Sequence, residues 1–366
     1  MSVINMNSPV PLSDCITIIL NSAGDLVPLF LSEPGVGKST LHHVLKENDI
    51  KGEYDHIYVD CPTKDIPDVG MGLPDMVSKQ VQYFVSELFC KSSPKKKLIM
   101  LDEINKAPPI LRTLFYRMML EGVVGDWQLP EGSIVFATSN NASDMVGDSM
   151  LSHGINRVML IPVKKPNADE WINWAADAGV APEVIAFVHM FPQVMDSFMD
   201  YEDGGKYHGK PLEKDNPYIF NPRSSQIGYA TPRSLVAASD IVKQLDNLDT
   251  ETLNAALSGT VGESTAVDMS AAVRFGRSLP LFERVVKDPE GTDVPDNPTA
   301  QIVQTFQFVT RTSNRDEAEA VTKYVQRMRN EMQSLFVNTV ARSTRIAQFA
   351  TVPAFGKMLA DNKKYH

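Results

Sequence analysis

The sequence predicts an α/β core on a five-stranded parallel sheet, followed by an all-helical lid domain and a helical C-terminal extension. Short apolar runs alternate with helical patterns in the first half of the chain, whereas strand-like runs nearly vanish beyond residue 165. The runs lack strict alternation of apolar and polar residues, as expected for strands covered on both faces of a parallel sheet. We therefore predict three domains, at residues 1–165, 166–287 and 288–366.

Five apolar runs rich in strand-forming residues are the predicted strands. They lie at residues 27–31, 57–59, 98–101, 134–137 and 158–161. Helices are predicted between them, for example at residues 39–46 and 109–121, where apolar side chains recur at helical spacing. Residues 95–97, three consecutive lysines, are predicted to form a solvated turn before the third strand.

Helix-start signals dominate the second half. Asn167 followed by Glu170 is a capping pair, and Pro182 suits the first turn of another helix. Residues 201–226 are rich in glycine, proline and polar residues and are predicted to be a long exposed loop. A second break at residues 288–298 precedes the helical tail.

Composition and net charge limit the classes of protein to which this chain can be expected to belong. With 43% hydrophobic and 22% charged residues and no apolar run of about 20 residues, the 366-residue chain is not expected to cross a membrane. Residues 1–11 do not resemble an export signal, which predicts a cytoplasmic protein. Three widely spaced cysteines disfavour a disulfide framework and a thiolate metal site. A net charge of -10 disfavours nucleic acid as a general partner.

A glycine-containing loop, SEPGVGKST at residues 32–40, follows the first predicted strand and leads into a helix. Gly35 and Gly37 let the backbone curl so that amide hydrogens point inward, and the helix start adds its positive dipole end. Lys38 would reach the β- and γ-phosphates of a nucleotide, and the hydroxyl of Ser39 would ligate magnesium. The usual pattern begins with glycine where this chain has Ser32, a change expected to leave the amide donors intact. An ordinary glycine-rich turn is the alternative. The predicted phosphate-binding residues are Glu33, Pro34, Gly35, Val36, Gly37, Lys38, Ser39 and Thr40.

Two acids follow the third predicted strand, in LIMLDEIN. Ligands of open α/β sheets bind at the carboxyl ends of the strands, so Asp102 would hold hydrated magnesium there and Glu103 would polarise the attacking water. A solvated acidic loop is the alternative, disfavoured by the phosphate loop upstream. Asn140 follows the fourth run and is a candidate sensor of the γ-phosphate, although asparagine is also common in turns.

Two arginines complete the candidate site. Arg157 precedes the fifth strand, where a guanidinium from a neighbouring subunit would stabilise charge on the γ-phosphate; a surface arginine at a strand start is the alternative. Thr231 and Pro232 are predicted to be the cap and first residue of a helix. Arg233 would then lie in the first turn, where the helix dipole disfavours a cation unless an anion binds.

The ordered set SEPGVGKST, LIMLDEINKAPP, VGDWQLPEGSIVFATSNN, INRV and ATPRS resembles the AAA+ superfamily and, within it, the MoxR-like ATPases. Asn156, which precedes Arg157, departs from the family pattern, because in that family an acid usually precedes the arginine finger. Residues 65–74 resemble the stretch before the family's helix 2 insert, which projects toward a pore; a glycine- and proline-containing loop is the plainer interpretation. The resemblance implies a Walker A loop with Lys38 and Ser39, Walker B acids Asp102 and Glu103, sensor 1 Asn140, arginine finger Arg157 and sensor 2 Arg233.

The resemblance also implies ATP and Mg²⁺ as cofactors, a homo-oligomeric, typically hexameric ring, and a protein partner with a von Willebrand factor A-type domain. The leading hypothesis is thus a ring ATPase that remodels or activates a protein partner in a chaperone-like manner. The alternative is a DNA-directed AAA+ motor or loader, which would share every catalytic residue. A P-loop kinase or non-catalytic scaffold is a third class, but neither needs Glu103 as a water-activating acid.

Overall fold

The computed structural model describes residues 9–22, 26–140, 157–197, 206–207, 210–211, 216–220, 226–244 and 248–362. The chain divides into two compact units, Met1–Lys165 and Pro166–His366. Most of the loop predicted at residues 201–226 lies outside the described residues; the part that is described includes a two-stranded pairing of Lys206–Tyr207 with Lys210–Pro211.

A five-stranded parallel sheet forms the centre of the first unit. Its strands lie in the order β2-β3-β4-β1-β5, and every neighbouring pair is parallel. The predicted strands are all confirmed, and each is longer than the apolar run that predicted it. They are β1 (Val27–Ser32), β2 (Tyr54–Asp60), β3 (Lys96–Asp102), β4 (Ile134–Asn140) and β5 (Val158–Pro162).

Helices cover both faces of this sheet. They are α1 (Leu12–Asn21), α2 (Thr40–Asn48), α3 (Ile66–Val69) and α4 (Pro109–Glu121). Successive residues of β3 enter different cores: Met100 packs in the cluster that includes α1 and α2, and Leu101 packs in the cluster that includes α4. Both faces are therefore apolar, which explains why the strands show no alternating pattern.

Residues 65–74 do not form a simple loop. They contain α3 and the strand Gly70–Asp75, which pairs antiparallel with Gln80–Val85. Tyr83 anchors this hairpin, because its hydroxyl donates to Gly70 O at 2.9 Å and its ring occupies the space that a Cβ at Gly125 would need. Gly125 also has a φ of 65°, a conformation that favours glycine.

The solvated turn predicted at residues 95–97 holds for Lys95, which is exposed before the strand, but is wrong for Lys96 and Lys97. Lys97 belongs to β3 and its side chain is fully buried. Its Nζ donates to Asp55 Oδ2 at 2.6 Å and to Ser93 O at 3.0 Å. The parallel register places Asp55 of β2 directly beside Lys97, so a neighbouring strand supplies the counter-charge.

Apart from the short pairing of Lys206–Tyr207 with Lys210–Pro211, the described part of the second unit is helical, as predicted. Asn167 caps its first helix by accepting from Glu170 N at 2.9 Å, while Glu170 accepts in return from Asn167 N, which confirms the predicted capping pair. The described helices are α5 (Ala168–Asp177), α6 (Pro182–Met190), α7 (Pro232–Val242), α8 (Thr250–Val261), α9 (Glu263–Arg277), α10 (Phe282–Lys287), α11 (Pro298–Arg311), α12 (Arg315–Val325), α13 (Asn330–Arg342), α14 (Ile346–Phe349) and α15 (Pro353–Asn362).

Residues on both sides of position 287 share a core. Val303 and Phe306 of α11 lie in the same buried cluster as Phe187 of α6 and Leu235 of α7. The predicted domain division at residue 287 stays a prediction. Within the described residues, neither unit has a helix with the length and apolar composition that a membrane crossing requires.

Candidate active site

The predicted phosphate-binding loop joins β1 to α2 at the carboxyl edge of the sheet. Gly35 and Gly37 have φ values of 77° and 109°, which side chains strongly disfavour. A Cβ at Gly37 would find its nearest atom 3.5 Å away, so glycine is required there for its backbone conformation and not for space. The helix begins immediately after Ser39. Its first amides therefore face the loop, an arrangement suited to an anion.

Lys38 is almost completely buried, with 6% of its surface exposed. Its Nζ donates to Ser32 Oγ at 2.7 Å, to Asn140 Oδ1 at 3.0 Å, and to the main-chain oxygens of Ser32 and Glu33 at 3.3 Å. The Ser32 hydroxyl donates in turn to Glu33 O at 2.9 Å, which leaves its lone pairs for Lys38. Ser32, the departure from the usual glycine, therefore contacts the lysine through its side chain, a contact that the sequence did not predict.

Asp102 ends β3 and is only 4% exposed. Its Oδ2 accepts from Ser39 Oγ at 2.8 Å and from the Tyr58 hydroxyl at 2.7 Å, and its Oδ1 accepts a short hydrogen bond from Thr138 Oγ1. The structure thus brings together Ser39 and Asp102, the two predicted metal ligands. Sequence reasoning missed Tyr58 and Thr138, because only the alignment of β2 and β4 beside β3 reveals them.

The donor atoms around Asp102 are suited to magnesium. A carboxylate and a hydroxyl offer only oxygen, and Mg²⁺ is commonly held by one or two carboxylates together with waters and substrate phosphates. Ser39 and Asp102 would hold the ion, beside the loop that would hold the phosphates.

Glu103 has a φ of 53°, a left-handed conformation uncommon for a residue with a side chain and often found at functional sites. Its Oε1 accepts from Asn140 Nδ2 at 2.9 Å, and its Oε2 is paired with Lys106 Nζ at 2.5 Å. Asn140 also accepts from Lys38 through Oδ1. One amide therefore connects the lysine of the phosphate loop with the acid predicted to activate water.

The two predicted arginines are exposed. Arg157 is exposed and directly precedes β5, while Asn156 lies outside the described residues. Arg233 is exposed in the first turn of α7, and Thr231 Oγ1 accepts from Ser234 N at 3.0 Å, which confirms the predicted cap. Because α7 belongs to the second unit, the place of Arg233 relative to the phosphate loop stays a prediction, as does the role of Arg157 across a subunit boundary.

No family model matches the chain, and no curated protein matches it. Several solved structures are similar to it. One is a closed-state reconstruction of Hsp104 with ATPγS and casein, at 18% identity over 46% of this chain and 34% of that one, with a TM-score of 0.34. A RuvB variant from Thermotoga maritima is 11% identical over 75% of this chain and 74% of that one, with a TM-score of 0.35. NtrX from Brucella abortus in complex with ATP is 13% identical over 99% of this chain and 68% of that one, with a TM-score of 0.35.

TM-scores below 0.5 give these likenesses no weight in assigning a function. The class of protein follows instead from the chain's own geometry: a parallel sheet whose first strand runs through a glycine-containing loop into a helix, with acids at the end of β3 beside that loop. This is an α/β P-loop fold.

Proposed function

We propose that the chain is an ATP-hydrolysing AAA+ ATPase of the MoxR-like type, which acts in a ring as a chaperone-like remodeller or activator of a protein partner. The observation that supports hydrolysis most directly is the position of Asn140, whose amide contacts both Lys38 and Glu103. A group placed there can respond to a terminal phosphate and to the water that attacks it.

Each residue of this site has a distinct part in the reaction. Lys38 would exchange its contacts with neutral oxygens for β- and γ-phosphate oxygens, and the loop amides would bind the remaining phosphate charge. Bound Mg²⁺ would offset the negative charge of the phosphates. Glu103 would accept a proton from the attacking water, for which each carboxylate oxygen retains a lone pair beyond its present contact. Asn140 would orient that water without adding charge.

The ring, the partner and the two arginines rest on the family resemblance. The exposure of Arg157 is compatible with a role toward a neighbouring subunit. An arginine finger is worth about 10³ to 10⁵ in rate, so isolated subunits should be nearly inactive. The net charge of -10 favours a protein client over the alternative of a DNA-directed motor or loader. Stimulation of ATP hydrolysis by DNA, but not by a protein partner, would reverse that preference.

Replacing Glu103 with Gln tests hydrolysis. The amide keeps the size of the side chain but cannot take up a proton, so phosphate release should fall by about 10² to 10⁴ while ATP binding is retained. Binding of a fluorescent ATP analogue and phosphate release would be measured on the same preparation.

Glu121→Gln is the matched control, because Glu121 is a carboxylate of the same unit that pairs with Arg117 on the surface of α4. Phosphate release by Glu103→Gln equal to that of Glu121→Gln would disprove the mechanism. Purification of the Glu103→Gln protein with ATP from native cells would then identify the partner.

A further inference from the structure

Tyr58 contacts the predicted metal site, although no part of the sequence pattern pointed to it. It lies on β2, and its hydroxyl donates to Asp102 Oδ2 at 2.7 Å. The same oxygen accepts from Ser39 Oγ at 2.8 Å, and Thr138 donates to the other oxygen, Oδ1. A carboxylate has about four lone-pair sites, so these three donors leave room for a cation or a cation-bound water.

The ring of Tyr58 is held in place as well as its hydroxyl. Its centroid lies 5.7 Å from that of the His42 ring on α2, so the side chain has contacts on both α2 and β3.

Ser39 and Tyr58 share one carboxylate oxygen but differ in what they can do when a metal binds. Ser39 would turn a lone pair toward the cation, which alters its hydrogen bond with Asp102. Tyr58 is not a predicted ligand and can keep its bond. With Thr138 on Oδ1 and Tyr58 on Oδ2, both oxygens of Asp102 stay held while Ser39 moves.

We propose that Tyr58 is a positioning residue for Mg²⁺: its hydroxyl fixes the Asp102 carboxylate in the orientation in which that group and Ser39 together face the cation. This inference rests on the proposed function, because it concerns the cation that accompanies the nucleotide. Partners that orient metal ligands in this way typically change metal affinity or activity by about 10- to 100-fold when removed.

Tyr58 can be tested separately from the other groups that hold Asp102. Thr138 is fully buried and also accepts from Glu103 N at 3.2 Å, so its removal would disturb the proposed catalytic acid. Tyr58 is 37% exposed, and Tyr58→Phe keeps the ring against His42 while removing only the hydroxyl.

The experiment compares wild type, Tyr58→Phe and Tyr54→Phe. Tyr54 is a matched control because it lies on the same strand and its ring packs instead near His56 and Lys96. Affinity for a fluorescent ATP analogue would be measured first in EDTA and then with increasing Mg²⁺. We expect equal affinities in EDTA for all three proteins, and a half-saturating Mg²⁺ concentration about tenfold higher for Tyr58→Phe alone.

An unchanged or lower Mg²⁺ requirement in Tyr58→Phe would overturn the inference while leaving the proposed function intact. Weaker analogue binding by Tyr58→Phe already in EDTA, with a lower melting temperature, would assign the hydroxyl to folding and overturn it as well. A wild-type protein that binds no nucleotide in either condition would overturn the proposed function, and the inference with it.

Discussion

Strands β2 and β3 bury one charge near each of their two ends, and the groups that surround these two charges differ. Near the amino ends, the fully buried Lys97 ammonium pairs with the Asp55 carboxylate at 2.6 Å. Burial of Asp55 favours its neutral form, but hydrogen bonds from Lys97 and Ser93 and the charge of Lys97 outweigh this effect and lower the pKa of Asp55. At the carboxyl ends, Asp102 accepts hydrogen bonds from three hydroxyl groups, and among the described residues it forms no ion pair.

This difference distinguishes a charge that stabilises the fold from a charge that can take part in a reaction, on the same pair of strands. A buried charge that already has an opposite charge beside it needs no further ion, and removing its partner lowers the stability of the fold. A buried carboxylate held only by neutral donors keeps its negative charge available for a cation. We therefore infer that the Lys97 end stabilises the sheet and the Asp102 end serves the proposed reaction.

The largest expected effect is that of Asp102→Asn. Loss of the negative charge should lower phosphate release by about three orders of magnitude, since metal stabilisation of the transition state is worth several kcal/mol and each 1.4 kcal/mol is about tenfold. The melting temperature should not fall, because the substitution removes a buried charge without a counter-ion. Phosphate release and thermal unfolding would be measured together. A marked loss of stability would show that Asp102 is structural, and it would contradict the proposed difference between the two ends of these strands.

At the other end, Asp55→Ala should leave the Lys97 ammonium buried without its counter-charge. We expect the free energy of unfolding, measured by urea denaturation, to fall by about 3 kcal/mol. The reason is that breaking a buried pair leaves the remaining charge buried without compensation. Phosphate release per folded molecule should not change.

Adding Lys97→Met to Asp55→Ala supplies the control for that prediction. Methionine fills much of the same space without a charge, so the double variant should regain most of the lost stability. If the double variant is as unstable as Asp55→Ala, the loss comes from packing and not from the unpaired ammonium.

The smallest expected effect is that of Ser32→Ala. The Ser32 hydroxyl is 2.7 Å from Lys38 Nζ, and a phosphate that binds Lys38 would have to compete with this contact. Removing a competing hydrogen bond worth about 1 kcal/mol should tighten binding of a fluorescent ATP analogue by about fivefold. Ser13→Ala, at an exposed serine of the same unit, is the control. Weaker binding by Ser32→Ala would mean instead that the hydroxyl holds the loop in its binding conformation.

Local patterns predicted much of this molecule. The five apolar runs became the five strands of one sheet, and the helix predicted at residues 109–121 has the bounds Pro109–Glu121 in the structure. The caps at Asn167 and Thr231 were predictable because a cap depends on residues three positions apart. Gly35 and Gly37 were predictable because their left-handed backbone is itself a local property.

Residues distant in sequence were not predictable in the same way. Tyr58 and Asp102 are 44 positions apart, and Lys97 and Asp55 are 42 positions apart. Each contact depends on the register of neighbouring strands, and a shift of one residue would turn the side chains to the other face of the sheet. The burial of Lys97 was not predicted for this reason. The sequence shows three consecutive lysines, and the carboxylate that pairs with Lys97 lies on another strand, β2.

The sequence by itself determined the parallel sheet, the glycine-containing loop, the position of the acids after β3 and the helical character of the second unit, because apolar patterning and backbone preference act over short stretches. Only the tertiary structure decided how the buried charges are held: Lys97 by a carboxylate, Asp102 by the hydroxyls of Ser39, Tyr58 and Thr138. The physical reason is that the cost of burying a charge depends on what surrounds it in space.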